Sequence, residues 1–217
     1  MTSLETEIYQ GQFGEFTIND RDRAEVVVYR AGLMASALSF ALGSGLILWQ
    51  GITPTVSLIT NLLFGVFILG LGVSLTTIHI YLKPLHRVLQ GFWLVGTIAS
   101  GVLAWQSGNS LAVFVYNHPL TIFGVGFLFA ALTGIFFKEA FCFNRLETKI
   151  LTPLIPLLLL GHMSNILSLG AEQVLLATWA IFYLIFAIRK SVQAIPPDIG
   201  DKSVFVYLKQ QKQAVKN

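Results

Sequence analysis

A histidine and an asparagine lie inside an otherwise apolar stretch, and they are the residues best placed to do chemistry. His162 and Asn165 follow the leucine run at residues 157–160. A continuous helix from Ile150 would place His162 about 18 Å along its axis, past the bilayer midplane, with Asn165 on the same face. Polar groups at this depth are costly and often functional. We therefore take His162 and Asn165 as candidate cofactor-binding residues, with the cofactor unknown.

This pair allows several kinds of chemistry. It could bind a polar ligand, ligate a haem or a chlorophyll, or relay protons. The alternative is structural, because a buried histidine and asparagine also hydrogen-bond neighbouring membrane helices. His79, His86 and His118 lie near membrane surfaces in the sequence pattern, so none matches the depth of His162 as a second haem ligand.

A second candidate site is the segment at residues 137–149, which mixes aromatic and charged residues. Glu139 is flanked by phenylalanines and is expected to lie within the membrane interface, where it requires a partner such as Arg145 or Lys83. Such a turn could dock another protein through Glu139 and Arg145, or it could be a stiff topological anchor. The pattern leaves both interpretations open.

The surrounding elements are membrane helices. Of the 217 residues, 54% are hydrophobic and only 12% are charged, and the mean hydropathy is +0.71. A hydrocarbon core of roughly 30 Å needs about 20 apolar residues per helix. The sequence predicts an all-α, polytopic bundle with six transmembrane helices and no separate soluble domain. The predicted spans cover residues 31–50, 56–82, 88–105, 119–143, 150–169 and 171–188.

The basic residues define the predicted orientation. Of the 14 Lys and Arg residues, 13 fall before span 1, between spans 2 and 3, between spans 4 and 5, or after span 6, and Lys138 lies near the end of span 4 that leads to span 5. Because positive charge concentrates in cytoplasmic loops, both termini are expected on the cytoplasmic or stromal side. The net charge of +3 is therefore an orientation signal, and nucleic acid is not an expected partner.

The chain divides into a polar N-terminal segment at 1–30, a transmembrane domain at 31–190 and a cytoplasmic tail at 191–217. Residues 9–18 alternate apolar and polar residues with glycines, which predicts a strand or hairpin near the membrane surface. Asn19 or Asp20 can cap the following helix. Residues 195–201 break the chain, and a short helix or a solvated tail is expected at 202–212. The single cysteine, Cys142, excludes an internal disulfide.

Small residues and a repeat suggest how the helices pack. Ala37, Ala41 and Gly45 form one row at four-residue spacing, and 126, 130 and 134 form another, each suited to close helix contact. The segment at 44–50 resembles that at 100–106, which indicates duplicated helical hairpins or, alternatively, two interfacial tryptophans after apolar runs.

Three stretches carry a resemblance to a known family. The run at 28–33, the loop at 138–153 and the tail at 195–202 resemble an uncharacterised integral membrane family, a domain of unknown function, of cyanobacteria and chloroplasts. This resemblance implies a thylakoid or plasma membrane and supplies no catalytic residues.

Three functional classes remain for such a chain. A structural, accessory or assembly factor explains the scarcity of charge within the membrane and is the favoured expectation. A small-solute transporter or channel needs polar groups from several spans around a cavity. An enzyme needs a nucleophile with a base or a metal cluster, whose motifs we do not find, so no enzymatic activity is expected.

Overall fold

Six long helices dominate the structure. The computed structural model describes residues 7–80, 82–108 and 110–214. The six helices long and apolar enough to cross a membrane are α1 (Asp20–Gln50), α2 (Pro54–Thr77), α3 (Lys83–Ser107), α5 (Ile122–Phe143), α6 (Leu146–Met163) and α7 (Leu169–Ser191). A single 3₁₀ turn at Pro119–Thr121 leads into α5. The predicted six-helix membrane bundle is confirmed.

The helices begin and end at recognisable signals. Asn19 forms a capping box with Asp22, so α1 starts at the membrane surface and runs unbroken to Gln50. Thr53 caps α2, whose first residue is Pro54. Two predicted ends were wrong. The second span stops at Thr77 and not at 82, because the backbone becomes extended at Ile78 before α3 begins at Lys83. The fifth span stops six residues before 169.

The six helices form a closed ring. Each packs against its neighbours in the order α1, α2, α3, α5, α6, α7 and back to α1. The interior of the ring is the hydrophobic core. Its residues include five that are each 0% exposed, namely Leu33, Leu71, Phe136, Tyr183 and Phe186. The six spans and the contact between the terminal segments place both ends of the chain at one end of the ring, which we call the basic side.

A close contact joins the backbones of α1 and α2 through two glycines. A Cβ atom built on Gly32 would lie 2.6 Å from the Gly70 carbonyl oxygen, and one on Gly70 would lie 2.6 Å from the Gly32 carbonyl oxygen. The row predicted from Ala37, Ala41 and Gly45 is only partly a contact surface. Ala37 is buried, whereas a Cβ at Gly45 would meet nothing within 4 Å.

The second small-residue row also divides between two environments. Gly134 packs on the Leu89 side chain of α3, so it is a true helix contact. Gly126 and Ala130 line an open groove of about 340 Å³ between α5 and α6. The four-residue spacing in the sequence therefore does not distinguish a glycine packed between helices from one that lines an open groove.

The terminal segments pack together on the basic side. Strands β1 (Ile8–Gly11) and β2 (Gly14–Thr17) form the predicted antiparallel hairpin. Two short helices follow α7, namely α8 (Pro196–Ile199) and α9 (Ser203–Ala214). The Asp201 carboxylate accepts a hydrogen bond of 2.6 Å from the Gln12 N–H. The Ser203 hydroxyl and this N–H hold the pKa of Asp201 below its usual value.

One helix was not predicted. Residues Leu111–Asn117 form α4, a two-turn helix on the opposite side, capped by Ser110. The sequence places this segment in a turn between the third and fourth predicted spans, and a helix of seven residues is too short to cross the bilayer. The Leu111 N–H donates to the Asn61 side chain of α2 over 3.3 Å, which fixes the start of α4 above the ring.

Candidate functional site: a buried ionic cluster and an aromatic cavity

Glu139 carries a fully buried charge at the basic end of the ring. Its side chain is 0% exposed, and Lys190 Nζ lies 2.5 Å from Glu139 Oε2. Lys138 Nζ lies 2.9 Å from Oε1. Lys190, also 0% exposed, donates a second hydrogen bond to Asp198. Each of these buried ions therefore has an opposite charge in hydrogen-bonding contact, which offsets the cost of removing it from water.

Arg30 extends this group from α1 to the C-terminal segment. Its Nε and Nη2 atoms lie 2.9 and 2.6 Å from Asp198 Oδ2. The remaining nitrogen donors bind the backbone carbonyls of Gln193 and Ala194 at 2.6 and 2.9 Å. We call Arg30, Lys138, Glu139, Lys190 and Asp198 the basic-side cluster. It joins α1, α5, α7 and α8.

Aromatic rings complete the surroundings of the cluster. Lys190 Nζ lies 4.1 Å from the centroid of the Phe143 ring, where the ring's negative face attracts a cation. Lys138 and Arg145 approach the same ring at 5.5 and 5.6 Å. The Tyr29 hydroxyl donates to Glu139 Oε1 over 3.3 Å. The aromatic residues around Glu139 thus bind its cationic partners as well as shielding it.

Arg145 belongs to a neighbouring set of charges. Its guanidinium donates to the Gln193 side chain, and its Nη1 atom lies 4.0 Å from Glu147 Oε1. Glu147 is 3% exposed and also accepts from Arg189 at 2.8 Å. The expected pairing of Glu139 with Arg145 or Lys83 was therefore wrong. Lys190 and Lys138 take that role because α7 and α5 bring them to the carboxylate.

These contacts bear on the predicted docking site. Glu139 is fully buried and Arg145 is largely so, and both side chains pair within the chain. Exposed groups of this segment include Phe137, Phe141 and Cys142. Partner binding at Glu139 and Arg145 stays a prediction, and any partner that contacts them must first displace these internal pairs.

His162 lies at the last turn of α6, on the opposite side. Its Nδ1 atom lies 2.7 Å from Glu172 Oε1 of α7, and its Nε2 atom lies 3.1 Å from the Tyr116 carbonyl oxygen of α4. Both neighbours are acceptors, so a doubly protonated ring satisfies both and a neutral ring only one. The Tyr116 ring packs on the imidazole with centroids 4.7 Å apart. His162 therefore connects α4, α6 and α7.

Asn165 does not share a helix face with His162, which corrects that expectation. Helix α6 ends at Met163, and Asn165 adopts a left-handed conformation with φ of 54° in the following turn. Asparagine tolerates this conformation better than most residues. The two side chains therefore lie in different elements, and cofactor binding by either of them stays a prediction.

A pocket on the basic side is lined by two histidines, His79 and His86. It lies between Glu25 and the segment joining α2 and α3. His79 Nε2 lies 3.4 Å from Glu25 Oε2, and His86 Nε2 lies 2.6 Å from the Leu75 carbonyl oxygen. Burial lowers the pKa of His79, outweighing the carboxylates of Glu25 and Asp22. Within the described ranges, no three His, Cys, Asp or Glu residues are grouped to hold a metal ion.

The interior of the ring opens into a cavity on the opposite side. The cavity has a volume of about 220 Å³ and is bounded by α1, α2, α4, α5 and α7. Its wall is mostly apolar and includes the rings of Phe40, Phe64, Phe67 and Phe129, and Ser39, Ser44 and Thr60 contribute hydroxyl groups. Leu111, Ala112 and Val115 of α4 cover it.

The floor of this cavity is aromatic. Trp179 packs on Phe40 with ring centroids 4.4 Å apart and meets Phe129 edge-on at 5.1 Å. Tyr183 and Ser36, hydrogen-bonded to each other, lie on the basic side of this layer. Packed rings and the basic-side cluster therefore separate the cavity from the basic surface.

These features define a multi-pass helical integral membrane protein whose charges are concentrated and paired at one end. Residues 73–207 match the model of a family described as "Uncharacterized integral membrane protein (DUF2301)", and the chain belongs to that family. No curated protein and no solved structure matches the chain.

Sequence reasoning missed three important residues of these sites. Lys190 and Arg30 were treated only as orientation signals at the ends of spans, and Asp198 as part of a chain break. Their pairing depends on contacts between residues as far apart as 168 positions. For His162 a signal was present, because Glu172 is the one acidic residue of the 11 on the opposite side of the predicted topology.

Proposed function

We propose that this chain is a structural, accessory or assembly factor of a photosynthetic membrane, without enzymatic activity of its own. The photosynthetic compartment rests on the resemblance to a family of cyanobacteria and chloroplasts. The observation that carries the accessory role is the closed basic half of the ring, where buried charges pair with one another and packed rings fill the interior. Because the buried charges of the basic-side cluster already pair with one another, the outer surface of the ring is what this half of the protein offers to partners.

The exposed junction between the end of α5 and the start of α6 is the surface that this proposal assigns to a partner. Phe141 is 85% exposed and Leu146 is 67% exposed, next to the buried cluster. Large apolar groups at a membrane surface are suited to contact another membrane protein or the headgroup region.

Photocrosslinking in the native membrane tests this assignment. A photoreactive amino acid at Phe141 should give discrete crosslinked protein bands. The control is the same group at Ile98, an exposed position on α3 outside the proposed surface, where no discrete band is expected. Native gel separation of a mild-detergent extract should show the chain in a larger complex. Migration only as a monomer or small homo-oligomer, with no specific crosslink at Phe141, would overturn the proposal.

A small-solute transporter is the second candidate, and the one-sided cavity within the ring favours it. A carrier that alternates between two sides must also open the basic side. In this chain that step requires breaking the contacts of Lys190 with Glu139 and Asp198. Exposure of interior residues to a basic-side reagent therefore distinguishes a carrier from a static accessory protein.

A further inference from the structure

The cavity on the opposite side has the chemistry of a small-molecule site. Its wall is largely apolar, with four phenylalanine rings, yet it includes Ser44, a residue that is only 6% exposed. Across the part of the chain that the structure describes, the Ser44 hydroxyl makes no hydrogen bond. Because Ser44 lines the cavity, its hydroxyl is available to form a hydrogen bond with a molecule bound there.

A second unpaired donor lies in the layer beneath the cavity. The Trp179 Nε1 atom is buried and has no hydrogen-bond partner among the described residues. Trp179 packs directly on Phe40 and Phe129, two residues of the cavity wall. Apolar surface and unsatisfied polar groups therefore occur together in this part of the ring.

The volume limits the size of what could bind. An apolar cavity of about 150 Å³ holds benzene, so the 220 Å³ present here accommodates a somewhat larger molecule. Helix α4, which covers the cavity, is held in place by contacts at both of its ends. The Leu111 N–H donates to Asn61, and the Tyr116 carbonyl lies 3.1 Å from His162 Nε2.

We propose that this cavity binds a small apolar molecule carrying one hydroxyl or carbonyl group, with the apolar wall contacting its apolar part and Ser44 hydrogen-bonding its polar group. A hydroxyl group can donate to a carbonyl or exchange hydrogen bonds with another hydroxyl. This proposal does not depend on the accessory role, because it concerns the interior of the ring and not its outer surface.

The test uses the full chain in lipid nanodiscs and the photoreactive alcohol 3-azioctanol as the probe. After irradiation, mass spectrometry of peptides maps the labelled residues. Labelling should be saturable and concentrate on cavity residues such as Phe40, Phe129 and Leu176. Ser44→Ala should raise the concentration for half-maximal labelling about two- to tenfold, the effect of losing one neutral hydrogen bond.

Two glycines on α1 provide a matched pair of variants. A Cβ at Gly43 would meet Leu63 and Thr60 only at 3.8–3.9 Å, so Gly43→Leu should enter and fill the cavity. A Cβ at Gly45 would meet nothing within 4 Å, so Gly45→Leu should leave the cavity unchanged. Ala112→Phe fills the same space from α4, should Gly43→Leu fail to fold.

The expected result is loss of labelling at the cavity in Gly43→Leu or Ala112→Phe and retention in Gly45→Leu. Labelling that is confined to lipid-facing residues, or that is equal in all variants, would show that the alcohol merely partitions into the bilayer and would overturn the proposal. An unchanged half-maximal concentration in Ser44→Ala would overturn the assigned polar contact.

Discussion

Lys190 Nζ lies 2.5 Å from Glu139 Oε2, and this contact joins α7 to α5 across the ring, between residues 51 positions apart. Both side chains are fully buried. The two helices are not neighbours in the ring, so the ion pair spans its interior. It therefore acts together with Asp198 and Arg30 to close the basic side.

Removing the shared cation should destabilise the fold. Lys190→Met would leave the carboxylates of Glu139 and Asp198 buried beside each other without their common partner. Breaking a buried pair in this way costs about 3–5 kcal/mol. Thermal unfolding in detergent should show a clear fall in midpoint. Lys149→Met, at an exposed position of α6, is the control, and equal midpoints for the two variants would contradict the structural role of the cluster.

The glycine contact between α1 and α2 gives a second stability prediction. Gly32→Val places a branched side chain where a Cβ alone would lie 2.6 Å from the Gly70 carbonyl oxygen. Overpacking typically costs about 1–3 kcal/mol, and a backbone atom cannot rotate away. Gly45→Val, with open space at its Cβ position, should unfold like the wild type. A reversed order of the two midpoints would show that the helices pack on the other row.

Features that depend on residues close together in the sequence could be predicted, whereas contacts between residues far apart in the sequence could not. Span number, the hairpin and the Asn19 cap follow from local patterns, and the structure confirms them. The partners of Glu139 did not follow, because choosing Lys190 over Arg145 requires the angular order of helices in the ring. Hydropathy gives the length of each span but not the face that meets a neighbour.

The end of α6 illustrates the same limit for the other candidate site. The run before Asn165 is apolar enough to continue a helix, so the pair with His162 looked like one helix face. The turn at Asn165 and the contact with Glu172 depend on where α7 begins, at Leu169 with Ser168 as its cap. Glu172, on the first turn of α7, was missed because its charge also suits a helix N-terminus.

His79 should make stability depend on pH. Its pKa is lower in the folded protein than the ordinary value of about 6.5. The unfolded chain therefore binds more protons between the two pKa values, so stability rises with pH through this range and is reduced below it. Thermal midpoints between pH 5 and 8 should show this slope, and His79→Gln should flatten it. An unchanged slope in His79→Gln would assign the effect to another group.

The contact of His162 with Glu172 should hold α4 in place. Glu172→Gln replaces the carboxylate that contacts His162 Nδ1 with a neutral amide, which weakens the positioning of the ring against the Tyr116 carbonyl. Hydrogen exchange in Leu111–Asn117 should then accelerate, while exchange in α5 stays the same. Glu15→Gln, on the exposed hairpin, should change neither. Unchanged exchange in α4 would indicate that Asn61 alone fixes this helix.

Cysteine labelling tests most directly the central claim that the basic side is closed. The natural Cys142 is exposed near the basic end of α5, and Ala187 of α7 is 1% exposed in the interior. In native membranes, a membrane-impermeant maleimide applied from the basic side should label Cys142 in the wild type. It should leave Ala187→Cys, in a Cys142→Ser background, unmodified until the protein is denatured. Labelling of Ala187→Cys at a rate similar to that of Cys142 would contradict a closed basic side and favour a carrier that opens there.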